Sequence, residues 1–476
     1  MSSLRVALVG FDITPRFHPR CGAWGCNPSI TEVDSPLLAR CLAVQQDDRL
    51  FLWYSCDLVG ESPSQTDTRC EQLAAGLGLR REQVLWAGNQ NHSSGSLPTA
   101  HFSGSIFDDL SERDPDFMQA EVDRLMQTSV DAGKEAMARL QPAKVCAGRG
   151  YCDSVSFNTR MPMPDGGFKF IRRHDEAVRT GQPIDPTIGV VRFDDAAGRP
   201  IGVIFNFAAH PATMISQKWI SSDWVGPARQ SIEDALDGAP SMFCQGFLSN
   251  INCCHLFGTP DQARQTGNRL GKAAVAALAT LIPVRADPFK VAWKTVNLQC
   301  RPMPPREHFE RELAQMEEYI TALENDPTLT WCGPMNLPEQ VRPELRAAVI
   351  KAKMAYPQEG LRMLEAGETL PSSMPFPVGA VRIGDVAACL TLGEPFVEIG
   401  LAIRARSPFV HTLICGEING LFGNIGTDPE VDRGYGMDSY YEILDLDGFR
   451  LPPEKGSAGR IISAAVELLW QLKEKA

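Results

Sequence analysis

A chain of 476 residues, 43% of them hydrophobic and 22% charged, is long enough for a substantial buried core and ordinary for a globular protein. Its net charge of −12 and pI near 5.3, with no run rich in Lys or Arg, give no electrostatic support for a nucleic-acid or anionic-membrane partner. No apolar stretch approaches the roughly 20 residues that span a bilayer, and the start "MSSLRVALVGFDITP" lacks the basic, apolar and cleavage segments of a secretory signal. The expectation is a cytoplasmic protein. Its 14 cysteines are scattered without a CxxC, so they read as reduced, buried, small apolar residues, with Cys253 and Cys254 set apart by their place near a strand end.

Taken in chain order, "LRVALVGFDITP" predicts a strand, and "LLARCLAVQQDDRLFLWYSCDLVG" two strands joined at Gln45–Arg49. "TDTRCEQLAAGLGL" predicts a helix capped near Thr66 or Asp67, and "QVLWAGNQNHSSGS" a strand that runs into a polar loop. A long amphipathic helix is expected over 113–140, and a hairpin over 188–196 and 201–209. A helix follows Asp223, which reads as its cap, then the strand "SMFCQGF" and a further helix from "DQARQTG". Residues 302–357 are charged, helical and bounded by prolines, a helical insertion or cover. After it, "VGAVRIGDVAACLTLGEPFVEIGLAIRARS" returns to hairpin and helix, and "SAGRIISAAVELLWQLKEKA" closes the chain as a helix. Strands alternating with helices predict an α/β fold, and the hairpins predict mixed, buried sheets covered by helices within one domain, 1–476.

Four polar loops follow apolar strands: "NQNHSSGS", "AAHPAT", "CQGFLSNINCCH" and "TLGEPFVE". Strand ends converge at one edge of such a sheet, which makes His92, His210 and Glu394 the natural ligands for a divalent metal.

In order along the chain, "DITP", "NFAAHPAT", "SSDWVGPARQSIE", "CQG…SNIN" and "LGEPFVEIG" resemble the neutral (non-lysosomal) ceramidase family, and more narrowly its single-domain bacterial relatives. The resemblance implies a zinc-centred amidase site with His210 and Glu394 among the ligands. The family's other two ligands fall on Gln90 (for a histidine) and Asn424 (for a tyrosine), and Asn250 and Gly246 replace an aspartate and a serine. Amide oxygens are weak ligands for zinc, so three readings stand. His92, His210 and Glu394 hold the metal with amide support; a harder ion replaces zinc; or no metal binds, and His92 with Glu394 does proton-transfer chemistry.

The same resemblance makes His92 a general base or hydrogen-bond donor and Arg160 an oxyanion or carboxylate holder. It places Tyr435 near the substrate and gives Gly22 and Gly25, Gln90, Gly246, Asn250 and Asn424 to the substrate pocket. Cys253, Cys254 and His255 are candidates for a replacement ligand. Arg172, Arg173 and His174 with Arg160 could form a cationic lip, a solvated charge run being the plainer account. The expected activity is hydrolysis of a C–N bond in a small polar molecule other than ceramide, with a lyase or isomerase on the same scaffold as the alternative. A small-molecule substrate is the only partner expected, and self-association as a homo-oligomer is compatible with the sequence.

Overall fold

The computed structural model describes residues 3–16, 32–94, 115–162, 164, 168–171, 173–177, 181–215, 217–333, 335–337, 339, 341–432 and 451–474. Three mixed sheets dominate it, and they share one plan. In the first, Arg5–Asp12, Leu38–Gln46 and Arg49–Cys56 form an antiparallel meander; helix Pro63–Leu77 then returns the chain to Val84–Gly88, parallel to Arg49–Cys56. The second repeats this with Lys144–Tyr151, Thr187–Asp194 and Pro200–Phe207, helix Val225–Asp234, and the parallel strand Ser241–Gln245. The third does so with Phe289–Gln299, Ser373–Ile383 and Val386–Thr391, helix Val397–Arg406, and the parallel strand His411–Cys415.

Alternation along these strands gives each sheet two apolar faces. The inner faces meet in one core: Leu42, Trp53 and Leu85 from the first sheet, Val191, Ile204 and Met242 from the second, Val381, Ala388 and Leu413 from the third. The outer faces are covered by helices. Pro63–Leu77 and Pro115–Ala138 pack on the first sheet, Val225–Asp234 and Pro260–Leu278 on the second, Val397–Arg406 and Ser457–Glu474 on the third. Because both faces are buried, the strands read as near-continuous apolar runs.

The helix expected from Thr66 or Asp67 starts earlier. Ser62 is its cap, its hydroxyl accepting from Gln65 N while the Gln65 side chain accepts from Ser62 N, and Pro63 opens the first turn. The reciprocal Ser–Gln pair outweighs the later, unreciprocated Thr66 and Asp67. The stretch expected as helical over 302–357 runs on to Ala366. Its helices Arg306–Asn325, Pro343–Lys353 and Ala355–Ala366 interrupt the hairpin of Phe289–Gln299 with Ser373–Ile383, and they bury their own cluster around Phe309, Met316, Ile350 and Tyr356.

Candidate functional site

Each sheet ends its parallel strand pair at the same end of the molecule, and backbone bonds knit the six ends together. Gly416 N donates to Gln245 O, Asn419 N donates to Trp86 O, and the Gln245 side-chain amide donates to Asn89 O and Ala209 O. The loops that leave these ends carry the polar groups. Loop 89–94 is tied to the loop after Pro200–Phe207 by His92 N donating to Pro211 O and Ser221 N donating to Ser93 O. That places the His92 and His210 rings 5.4 Å apart.

His210 is held on three sides. Its backbone N and its Nδ1 both reach Ile251 O, at 3.1 and 2.8 Å, and its carbonyl accepts from Trp224 Nε1. A carbonyl only accepts, so Nδ1 carries a proton and Nε2 is the ring nitrogen turned to Glu394. Nε2 stands 3.1 Å from Glu394 Oε2, a contact closed by a proton on either atom or by a cation between them. Glu394 is fixed by its N donating to Gly423 O and by its bridge to Asn424. The preceding Gly393 (φ 57°) admits no side chain, since a Cβ would lie 2.8 Å from Gly423 O.

Gln90 (φ 61°) turns its amide nitrogen to Glu394 Oε1 at 2.6 Å and toward Glu417 Oε1 at 3.5 Å. Glu417 (φ 59°, 1% exposed) was not expected from the sequence, although it follows an apolar strand, His411–Cys415, as the other site residues do. Left-handed backbone at two non-glycine residues in one centre is strain held by the surrounding structure. Arg160, 3% exposed, lies with its guanidinium 5.5 Å from the ring of Phe396, two residues past Glu394.

Burial, and next the neighbouring His210, hold the His92 imidazole well below its usual range, so the ring is neutral at ordinary pH. Neither of its ring nitrogens has a partner among the described residues. Asp57 and Glu61, at the same end, are instead matched to Arg229 and Arg69 in buried two-point ion pairs, and Asn89 donates to Asp57 Oδ1 at 2.8 Å.

Several other residues singled out from the sequence have structural partners. The Asn250 side chain accepts from Val397 N and donates to Glu398, both at 2.9 Å, while its main-chain carbonyl accepts from Thr159 N; side chain and backbone together tie its loop to two others. Gly246 packs where a Cβ would lie 2.7 Å from Ala208 Cβ, which accounts for the glycine by close backbone approach. Asn424 accepts from Ser249 Oγ at 2.5 Å beside Glu394. Asp223 does not cap the helix that follows; its carboxyl joins Met214 N to Trp224 N, and burial pushes it up to about 6. Cys253 donates to His255 O, and Cys254 contacts Thr266. Arg173 pairs with Asp175 at the surface, the plain account of that charge run. Gly22, Gly25, Arg172 and Tyr435 lie outside the described residues.

The donors fit a zinc centre poorly. Where a third ligand would sit, Gln90 presents an amide nitrogen, a hydrogen-bond donor, and it occupies Glu394 Oε1. Among the described residues no group of three or more His, Cys, Asp or Glu side chains is arranged to hold a metal ion.

No protein-family model matches the sequence, and no curated protein aligns with it. Solved structures do match, among them neutral ceramidase from Pseudomonas aeruginosa, at 19% identity and TM-score 0.66 over 99% of this chain and 75% of that one, and a ceramidase complexed with C2, at 19% identity and TM-score 0.67 over 99% and 76%. At that identity the likeness speaks for the fold. The chain has the mixed α/β fold of the neutral ceramidases.

Proposed function

We propose that the chain, read as one catalytic domain, hydrolyses a C–N bond in a small polar molecule that is not ceramide. The observation that carries this reading is the 3.1 Å contact between His210 Nε2 and Glu394, buried beside a neutral His92. His92 accepts the proton of an attacking water, whose oxygen bonds to the substrate carbonyl carbon. Arg160 steadies the oxygen that becomes negative. The proton shared by His210 and Glu394 passes to the leaving nitrogen as the C–N bond breaks. Tyr435 is assigned to the substrate by the family resemblance alone. No step uses a metal, because Gln90 takes up the position and the carboxylate oxygen that a zinc ligand set needs.

The acid–base pair without a three-ligand metal group also favours a second reading, a lyase or isomerase on this scaffold. Among the described residues no helix is long and apolar enough to cross a membrane, which agrees with a cytoplasmic enzyme and a small-molecule partner. Purified protein incubated with small amides, lactams and ureides, with amine or ammonia release as the readout, tests the proposal. Release that disappears in His92→Ala supports it. Elimination or isomerisation products in place of release would move the assignment to the second reading.

A further inference from the structure

Unpartnered polar atoms concentrate on one short loop. Among residues 89–93, Asn89 Oδ1, Gln90 Oε1, both ring nitrogens of His92 and Ser93 Oγ are buried without a partner among the described residues. Gln90 is 2% exposed and His92 9% exposed, and their contacts with Glu394 and His210 put both at the same centre.

The direction of the Gln90 amide is settled by chemistry. Nitrogen and oxygen of an amide are assigned from their partners, and here the partners, Glu394 and Glu417, are both carboxylates that accept. The reversed amide would press its oxygen against two carboxylate oxygens. The nitrogen therefore faces Glu394 and Glu417, and Oε1 is left as a buried acceptor. Asn89 repeats the device: its nitrogen is anchored on Asp57 at 2.8 Å, and its oxygen is unpartnered.

A buried acceptor without a donor costs about 1–3 kcal/mol, which a ligand donor relieves. We infer that Gln90 Oε1 reads an N–H group, with the one acceptor nitrogen of His92 left for the attacking water, so that the site takes a neutral ligand whose reacting group is an N–H-bearing amide, ureide or amidine. Glu394 and Glu417 behind the amide disfavour an anionic ligand. Gln90 is on this account a specificity-determining residue, and Glu394 at 2.6 Å, with Glu417 at 3.5 Å on the same nitrogen, keeps its amide from turning over. The inference rests on the hydrolytic reading for its choice of reacting group.

The test is binding of a matched pair, hydantoin and 1,3-dimethylhydantoin, which share a ring but differ in their N–H groups. Calorimetry on the wild-type chain should show hydantoin bound about tenfold or more tightly, the cost of one buried unmet acceptor. Gln90→Met, which keeps the length and removes the acceptor, should erase the gap while binding the dimethyl compound as before. Glu417→Gln, which removes one of the two carboxylates facing the Gln90 nitrogen and leaves Glu394, should narrow the gap less than Gln90→Met does. Circular dichroism and melting of each variant establish that it folds. Equal affinity of the pair in the wild-type chain, binding of neither compound, or a gap that survives in Gln90→Met overturns the inference. Binding is scored without turnover, so the two readings fail separately. An N–H preference without C–N cleavage of any substrate sinks only the hydrolase, and cleavage of N,N-dialkyl amides as fast as N–H amides sinks only the reader.

Discussion

Two sets of buried carboxylates lie at the same end of the three sheets, and they are treated differently. Asp57 and Glu61 each meet an arginine fork: Arg229 reaches both Asp57 oxygens and Arg69 both Glu61 oxygens, with all four residues 5% exposed or less. Asp57 also accepts from Leu38 N and Asn89 Nδ2, so its lone pairs are used and its charge is matched. Glu394 has an imidazole and an amide in place of a guanidinium. A matched, saturated carboxylate supports the frame, whereas one set against an imidazole can exchange a proton with it and is placed for chemistry. Loops 89–93 and 246–250 differ in the same way, unpartnered atoms concentrating on the first while Asn250 on the second has none left over.

The comparison breaks first at Asp57. Asp57→Ala strands Arg229 as a buried, unpaired cation, and loss of one partner from a buried pair costs about 3–5 kcal/mol. Denaturant unfolding should show that loss, or no soluble protein at all; a midpoint within error of wild type would mean that the pair is not structural. The matching change at the other carboxylate, Glu394→Gln, keeps shape and removes the acid–base partner. It should lower C–N hydrolysis by about 10²–10⁴-fold, the range for one acid–base group, with a melting temperature close to wild type. A large loss of stability without loss of rate would reverse the two roles.

Asp223 sharpens the contrast through pH. It is a buried carboxyl with backbone donors but no arginine, raised by burial from 3.8 to about 6. A folded-state value above the unfolded one means that the folded chain holds the proton more tightly. The contribution is therefore complete below about pH 4 and is lost as pH rises through 6, on the order of 2–3 kcal/mol in all. Asp223→Asn should remove this slope from stability measured between pH 4 and 7, leaving the rest of the profile in place. An unchanged slope would show that Asp223 does not titrate there.

Much of the frame was legible in sequence because periodicity reports burial. Thr187–Asp194 with Pro200–Phe207, and Ser373–Ile383 with Val386–Thr391, stand as the hairpins their apolar runs announced. The threefold repetition of the sheet plan was not, because each copy fills its strands with different apolar residues and only the path of the backbone recurs. In the site, His92, His210 and Glu394 follow strand ends, and the fold brings them together. Glu417 follows a fourth apolar strand by the same rule, but its loop "GEING" offers no imidazole and reads as a turn. Asn250 shows a complementary limit: a polar side chain at a strand end can be engaged by partners far along the chain, and those partners are invisible in one dimension.

The smallest expected effect concerns metal. If Gln90 serves as the organic partner that ties Glu394 in place, nothing at this centre depends on an ion, and stability should not respond to one. Dialysis against EDTA, followed by added zinc, manganese or calcium, should leave the melting temperature where it was. A ligand that binds only the folded state raises melting in proportion to its occupancy, so even a modest resident metal would show as a downward step on chelation and a recovery on return. Gln90→His, which supplies an imidazole where the amide stands, is the positive control: it adds a third nitrogen or oxygen donor of ligand type beside His210 Nε2 and Glu394, and zinc should then raise the melting temperature of the variant alone. A wild-type chain stabilised by zinc as strongly as Gln90→His would show that the amide yields its place to the ion, and the division between the arginine-matched and the imidazole-matched carboxylates would have to be redrawn around a metal.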